Sequence, residues 1–186
     1  MTFPTTLDEL FSLYEQKGHE YYGENITQTE HGLQCAALAR RDGATDALVV
    51  AALFHDVGHL VSGVQGSVGF DIDQEDDDHE EIGARVLAPI FGPPVAQPVA
   101  LHVTAKRWRC TIDPTYHAQL SATSQATLKA QGGLLSPEEC ARFEAHPGFE
   151  SALALRSWDD TGKTPGLDVT ALRDYEQLAT ALVVAR

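Results

Sequence analysis

Eight consecutive apolar residues, Ala47 to Phe54, run directly into a histidine and an aspartate, His55-Asp56. A helix that is apolar on nearly all sides has no face to give to water, so this segment, starting near Asp46, belongs at the centre of a core. Other elements must pack around it, and its C-terminal end carries two side chains able to bind a metal into the interior. Adjacent side chains on a regular helix point about 100° apart, so a regular helix turns only one of the pair toward a given ion. At a helix end, here followed by Gly58, both can turn toward the same one. An isolated His-Asp pair would as readily be a solvated helix terminus, so the remaining polar residues decide what it is for.

The segments around it read as helices. Thr6-x-x-Glu9 and Thr27-x-x-Glu30 are capping-box patterns. The first opens an element closed at Gly18, and the second opens one running through Leu33, Ala37 and Leu38 toward Gly43. Residues 61–78 change character, with Gly63, Gly66 and Gly69 followed by the acid run Asp71 to Asp78, and predict a long loop or lid. A helix is expected over about residues 78–91, stopped by Gly92-Pro93-Pro94, and another over about 95–106. Residues 110–135 hold short helical pieces broken at Asp113-Pro114 and Gly132-Gly133. Ser136-Pro137-Glu138-Glu139 is a strong helix start, with a cap, a first-position proline and acids in the first turn. Helices over about 148–160 and 168–184 complete the chain. No segment alternates with period two over β-branched residues, so the expected class is all-α.

Four further residues accompany His55 and Asp56. His31 and His55 stand at equal sequence distance from the turn near Gly43, so an antiparallel helix pair joined there brings them level. His79 opens a helix, His102 lies in an apolar stretch, and Asp159 ends a downstream helix in Trp158-Asp159-Asp160. Imidazole and carboxylate donors suit iron, manganese or zinc. His19, His117 and His146 belong to no such pattern and read as surface or structural.

The charge balance narrows the partners. The formal net charge is −14, from 27 acids against 13 bases, which repels nucleic-acid backbones and anionic lipid heads. A small anionic substrate would need a local basic pocket. The three cysteines, Cys35, Cys110 and Cys140, form no C-x-x-C pair and fit free thiols in a reducing cytosol. With no secretory signal at the N-terminus and no apolar stretch of about 20 residues, the expectation is a soluble, cytoplasmic protein. Its oligomeric state is open.

The order His31 … His55-Asp56 … Asp159, with its apolar helix, resembles the HD superfamily of metal-dependent phosphohydrolases over roughly residues 27–160, and most strongly at His55-Asp56-Val57-Gly58-His59. The resemblance implies one HD domain over residues 1–186, a helical bundle with its metal site in the core. Members with histidines at the places of His79 and His102 bind two metals. One ion would then take His31, His55, Asp56 and Asp159, and the other Asp56, His79 and His102, with Asp56 bridging.

A second set is more specific: Tyr21-Tyr22-Gly23-Glu24, Lys106, Tyr116, Leu120-Ser121, Ser124, Thr127-Leu128 and Gln131-Gly132-Gly133. It resembles a family of diiron oxygenases that cleave carbon–phosphorus bonds and are similar to myo-inositol oxygenase. That family acts on 1-hydroxy-2-aminoethylphosphonate or its N-trimethylated analogue, using O₂ and a mixed-valent Fe(II)/Fe(III) pair. The products are phosphate and glycine or glycine betaine. The resemblance makes Tyr21 a tyrosine that ligates iron when substrate is absent, Glu24 the residue holding that closed arrangement, and His59 a histidine at the pocket. Lys106, Ser124, Thr127 and Gln131 become the phosphonate-binding side chains. The chemistry agrees: Lys106, four residues after His102 on a helix, points to the same pocket, and Ser124 and Thr127 are neighbours able to donate to one oxyanion. Tyr22 stands where the aminophosphonate-type member has an aliphatic residue. With Asp71 or Asp73 it would suit a trimethylammonium head. The alternatives are a phosphohydrolase of a nucleotide or small phosphate ester, with other divalent metals, and a non-catalytic binding module. A tyrosinate competing with substrate has a use only in the oxygenase.

Overall fold

The computed structural model describes residues 3–20, 25–62 and 78–185, and holds no β-strand among them. Helix α1 (Leu7–Lys17) and helix α2 (Gln28–Arg41) each begin with the capping box expected at Thr6/Glu9 and Thr27/Glu30. The apolar segment is α3 (Asp46–Phe54), N-capped by Thr45 and buried from Val49 to Phe54. Phe54 is the hub of the core. Phe11 and Tyr14 of α1 meet it edge-on at ring-centroid distances of 5.6 and 5.2 Å, and Phe91 stacks on it at 6.3 Å.

Two glycines let backbones approach where the polar residues must converge. A Cβ on Gly32 would lie 2.3 Å from the Leu53 carbonyl oxygen, so α2 crosses α3 at backbone contact, one residue from His31 and two from His55. A Cβ on Gly58 would lie 2.0 Å from the carbonyl oxygen of His79. That contact seats α4 (Val57–Ser62) against the start of α5 (His79–Phe91). Asp78, which opens α5, adopts a left-handed backbone with φ 48°.

The next helix departs from expectation at both ends. Helix α6 runs from Pro93 to Ile112 rather than from about 95 to 106. Pro93 does not delay the helix, because the first turn needs no amide donor. Nothing after Lys106 breaks the helix until Asp113-Pro114. One face of α6 carries His102, Lys106 and Cys110 at four-residue intervals, all buried. Helices α7 (Pro114–Gln119) and α8 (Ala122–Ala130) are the short pieces expected over 110–135. Helix α9 (Pro137–Glu144) has its capping box at Ser136/Glu139, and α10 (Phe149–Thr161) packs on α6, α2 and α3.

The helix expected over 168–184 does not form. A 3-10 turn (Leu172–Tyr175) and α11 (Glu176–Thr180) take its place. The backbone N–H of Val184 instead donates to the Ile90 carbonyl at 2.9 Å, which satisfies a carbonyl near the end of α5. No helix among the described residues is long and apolar enough to cross a membrane.

Candidate metal centre

The regular helix is interrupted at the His-Asp pair, with His55 as the C-cap still in helical backbone angles. His55 and Asp56 lie between the end of α3 at Phe54 and the start of α4 at Val57. Both side chains therefore turn inward, and both are buried. His31 from α2, His79 from the first position of α5, His102 from the middle of α6 and Asp159 from the end of α10 are buried around them. The six residues singled out from the sequence thus come together at the centre of the bundle.

Their geometry is specific. The Nε2 atoms of His31 and His55 are 3.2 Å apart, as are those of His79 and His102. Two nitrogens each about 2.1 Å from one ion, at an angle between square and tetrahedral, lie roughly 3.0–3.4 Å apart. Asp56 stands between the pairs. Its Oδ2 is 3.6 Å from His31 Nε2, and its Oδ1 is 3.4 Å from His55 Nε2 and 3.8 Å from the Nε2 atoms of His79 and His102. Asp159 Oδ1 is 3.3 Å from His31 Nε2 and 3.8 Å from His55 Nε2.

Hydrogen bonding leaves donor atoms for a cation. The Nδ1 atoms of His31, His55 and His102 lie 2.8, 2.9 and 2.7 Å from the carbonyl oxygens of Gly162, Ala52 and Val99. A carbonyl only accepts, so each Nδ1 carries the proton and each Nε2 presents a lone pair to the centre. Asp56 Oδ2 and Asp159 Oδ1 are buried with no hydrogen-bond partner among the described residues. Buried carboxylate oxygens without a donor are costly unless a cation meets them. Converging imidazole nitrogens and orphaned carboxylate oxygens suit a metal cofactor of the borderline to hard kind.

The electrostatics point the same way. Burial, with His79 and His55 alongside, holds His102 neutral with a pKa of about 3. Burial works against the Asp56 carboxylate, yet the surrounding histidines outweigh it and hold Asp56 ionised well below the usual range. Burial also opposes the Asp159 carboxylate, and Arg156 and Lys163 overcome it. At His55 burial disfavours the imidazolium, but Asp56 and Asp159 prevail and raise its pKa, so the field at its Nε2 favours a cation there, whether a proton or a metal ion in its place. Cys35, one helical turn after His31, has its Sγ within 3.9 Å of both ring nitrogens. Burial and the two aspartates keep that thiol protonated, and it donates to the Trp158 carbonyl at 3.4 Å.

Beside the centre lies a buried lysine. Lys106, one turn after His102, is buried, and its Nζ donates to Thr127 Oγ1 at 2.6 Å and to Gln131 Oε1 at 3.0 Å. Burial, with Arg156 nearby, pulls its pKa down to about 7. Ser124, also buried, accepts a hydrogen bond on Oγ from the Ser121 hydroxyl at 3.1 Å, and Ser121 rather than Ser124 caps α8. His59 stacks on His79, with ring centroids 4.0 Å apart and planes at 16°. Tyr21, Tyr22 and Glu24 lie outside the described residues, as do Asp71 and Asp73.

The sequence reading passed over the surroundings of Asp159. Arg156 Nη1 meets Asp159 Oδ2 at 2.6 Å, while its Nε donates to Asp160 Oδ1 at 2.9 Å and its Nη2 also contacts that oxygen. Lys163 Nζ is 3.8 Å from Asp159 Oδ1. The available signal was spacing: Arg156 stands three residues before Asp159 on the same helix, and Lys163 follows four residues after it, just past the helix end.

A model of the HD-domain family matches residues 29–132. Hydroxymethylphosphonate dioxygenase from Gimesia maris is 42% identical over 166 residues, covering 89% of this chain and 82% of that protein. The glycine-betaine-forming [1-hydroxy-2-(trimethylamino)ethyl]phosphonate dioxygenase from Leisingera caerulea is 40% identical over 157 residues, covering 84% and 79%. The chain belongs to the HD-domain family and, within it, to the family of phosphonate dioxygenases.

Proposed function

We propose that the protein is an oxygen-dependent enzyme that cleaves the carbon–phosphorus bond of a 1-hydroxyphosphonate. The supporting observation is a pair of histidine pairs sharing Asp56, with the buried Lys106 one helical turn from His102. On this reading His31, His55, Asp56 and Asp159 hold one metal ion, and Asp56, His79 and His102 hold the other. This assignment takes in Asp159, beyond the matched span of residues 29–132, and treats residues 1–186 as one HD domain. Two iron ions, Fe(II) and Fe(III), would supply the one-electron chemistry that lets O₂ react.

The protein's own groups bind and orient. Lys106, Thr127, Gln131 and Ser124 take the phosphonate oxygens, and Lys106 supplies local positive charge against a net charge of −14. The buried setting excludes water from the reacting carbon. Tyr21 would hold a metal position in the absence of substrate and Glu24 would support it there, as the family resemblance implies, while His59 braces His79 by stacking. The reaction consumes one O₂ per phosphonate. The bond between C1 and phosphorus breaks, C1 is oxidised to a carboxylic acid, and the phosphorus leaves as phosphate, with O₂ reduced into the two products.

The substituent on C1 is aminomethyl or trimethylammoniomethyl, giving glycine or glycine betaine, with Tyr22 facing the nitrogen. The Gimesia maris relative's name favours hydrogen there instead, and the product would then be formate. The test is phosphate release from all three 1-hydroxyphosphonates, with and without O₂, by protein of measured metal content. The expected result is release that requires O₂ and two irons per chain, with one substrate preferred. Equal release in the absence of O₂, or with zinc alone, would mean hydrolytic rather than oxidative cleavage of the carbon–phosphorus bond, and phosphate release from phosphate esters alone would make the protein a phosphohydrolase.

A further inference from the structure

Asp159 presents its two oxygens to opposite surroundings. Oδ1 faces His31 and His55, with Lys163 Nζ 3.8 Å away, and has no hydrogen-bond partner among the described residues. Oδ2 is turned away, 2.6 Å from Arg156 Nη1. Arg156 cannot swing off, because the rest of its guanidinium is engaged by Asp160 through Nε and Nη2. Asp160 is held in turn: its Oδ2 accepts from the Tyr116 hydroxyl at 2.8 Å and from Arg109 Nη1 at 3.4 Å. Arg109 lies over the Tyr116 ring at 4.4 Å. The planar fork of Arg156, itself buried, thus straddles the carboxylates of two successive residues of α10 and is locked from α6 and α7.

We propose that Arg156 is a positioning residue that restricts Asp159 to a single ligating oxygen and thereby keeps a coordination position open for the substrate. The inference rests on the metal assignment above. An ion held by His31, His55, Asp56 and Asp159 through one atom each keeps two of about six positions free. A 1-hydroxyphosphonate has two oxygens to offer one ion, its hydroxyl and a phosphonate oxygen. If Asp159 chelated through both oxygens, only one position would remain, and the substrate could no longer bind through both. A buried arginine that merely balanced charge would not need its fork fixed so that Oδ1 alone faces the histidines.

The test uses the whole protein loaded with Co(II), whose visible absorption weakens as its coordination number rises, and hydroxymethylphosphonate as the added ligand. Wild type, Arg156→Leu and Arg156→Lys are compared for cobalt stoichiometry, spectrum and phosphonate affinity. The expected result is equal cobalt content in all three. Arg156→Leu would show weakened absorption before any ligand is added and at least tenfold weaker phosphonate binding. Arg156→Lys, which still engages Oδ2, would stay near wild type. An Arg156→Leu protein identical to wild type, or one that keeps wild-type coordination but loses cobalt from one site, overturns the proposal. Should Arg156→Leu fail to fold, Asp160→Asn loosens the same fork and must move spectrum and affinity in the same direction; no movement overturns it as well. A wild type that binds cobalt and phosphonate as expected but, loaded with two irons instead, releases no phosphate with O₂ refutes the proposed reaction and leaves the assignment of Arg156 standing.

Discussion

Replacing Lys106 with methionine separates binding from stability, because the two should move in opposite directions. Lys106 is buried against two neutral acceptors, Thr127 Oγ1 and Gln131 Oε1. Burial first, and then Arg156, lower its pKa from 10.5 to about 7, so carrying the charge costs the folded protein roughly 4–5 kcal/mol. Between pH 7 and pH 10.5 the unfolded chain binds the proton that the folded chain has released. Stability contributed through this group therefore rises with pH across that window, by at most about 1.4 kcal/mol per pH unit. Lys106→Met removes the cost and the slope, less what two lost hydrogen bonds give back, for a gain of roughly 2–3 kcal/mol near pH 7. Phosphonate binding should suffer instead. A charged hydrogen bond is worth about 1.5–3 kcal/mol, which lowers kcat/KM roughly 10- to 150-fold. The assays are denaturant unfolding of both proteins at pH 7, 8 and 9, and steady-state kinetics at the same values. Above pH 7 wild-type binding must also take up a proton, so its advantage over the variant should shrink as pH rises. Unchanged kinetics in Lys106→Met, or a variant less stable than wild type with the slope intact, would remove Lys106 from the phosphonate pocket.

Asp56→Ala should lose both metal ions, while His102→Ala should lose mainly one; elemental analysis giving the same single-ion loss in both would contradict a bridging Asp56. Tyr21→Phe should retain both irons, lose any tyrosinate-to-iron absorption band and oxidise faster without substrate; identical spectra and oxidation rates would take away the gate assigned to Tyr21. Gly58→Ala forces a Cβ to within 2.0 Å of the His79 carbonyl oxygen, so α4 and α5 must part at a cost of about 1–3 kcal/mol. Its metal loss should fall on the side of His79 and His102, and melting curves with metal analysis would check both effects.

The parts of the fold legible in the sequence were those fixed by local chemistry. The capping boxes at Thr6, Thr27 and Ser136 place three helix starts where they occur. The uninterrupted apolar run places α3 at the centre, and its end at Phe54 is what frees both His55 and Asp56 to turn inward. The tail was misread because its apolar spacing is compatible with a helix. Its register is set from outside, by the bond from Val184 to the Ile90 carbonyl, and spacing carries no record of such a partner. Arg156 was passed over for a related reason. An arginine three residues before an aspartate is usually a solvated helix pair, and only the packing of α10 against α6 and α2 makes it a buried fork.

The same packing explains how so acidic a chain can recruit an anion. Arg156, Lys163 and Lys106 gather near Asp159, while the acids they face are either the proposed metal ligands or tied to Arg109 and Tyr116. The surface charge repels a phosphonate from everywhere else at the range of a Debye length, about 8–10 Å. Inside that distance the buried cations and the metal act through a lower dielectric and dominate. Lys106 adds one further discrimination. With a pKa of about 7 it is not a fixed charge, so the pocket completes its positive field as the anion arrives rather than storing it beforehand. Neutral ligands of the same shape gain nothing from that response, and the global charge of −14 therefore does not set the preference of the pocket.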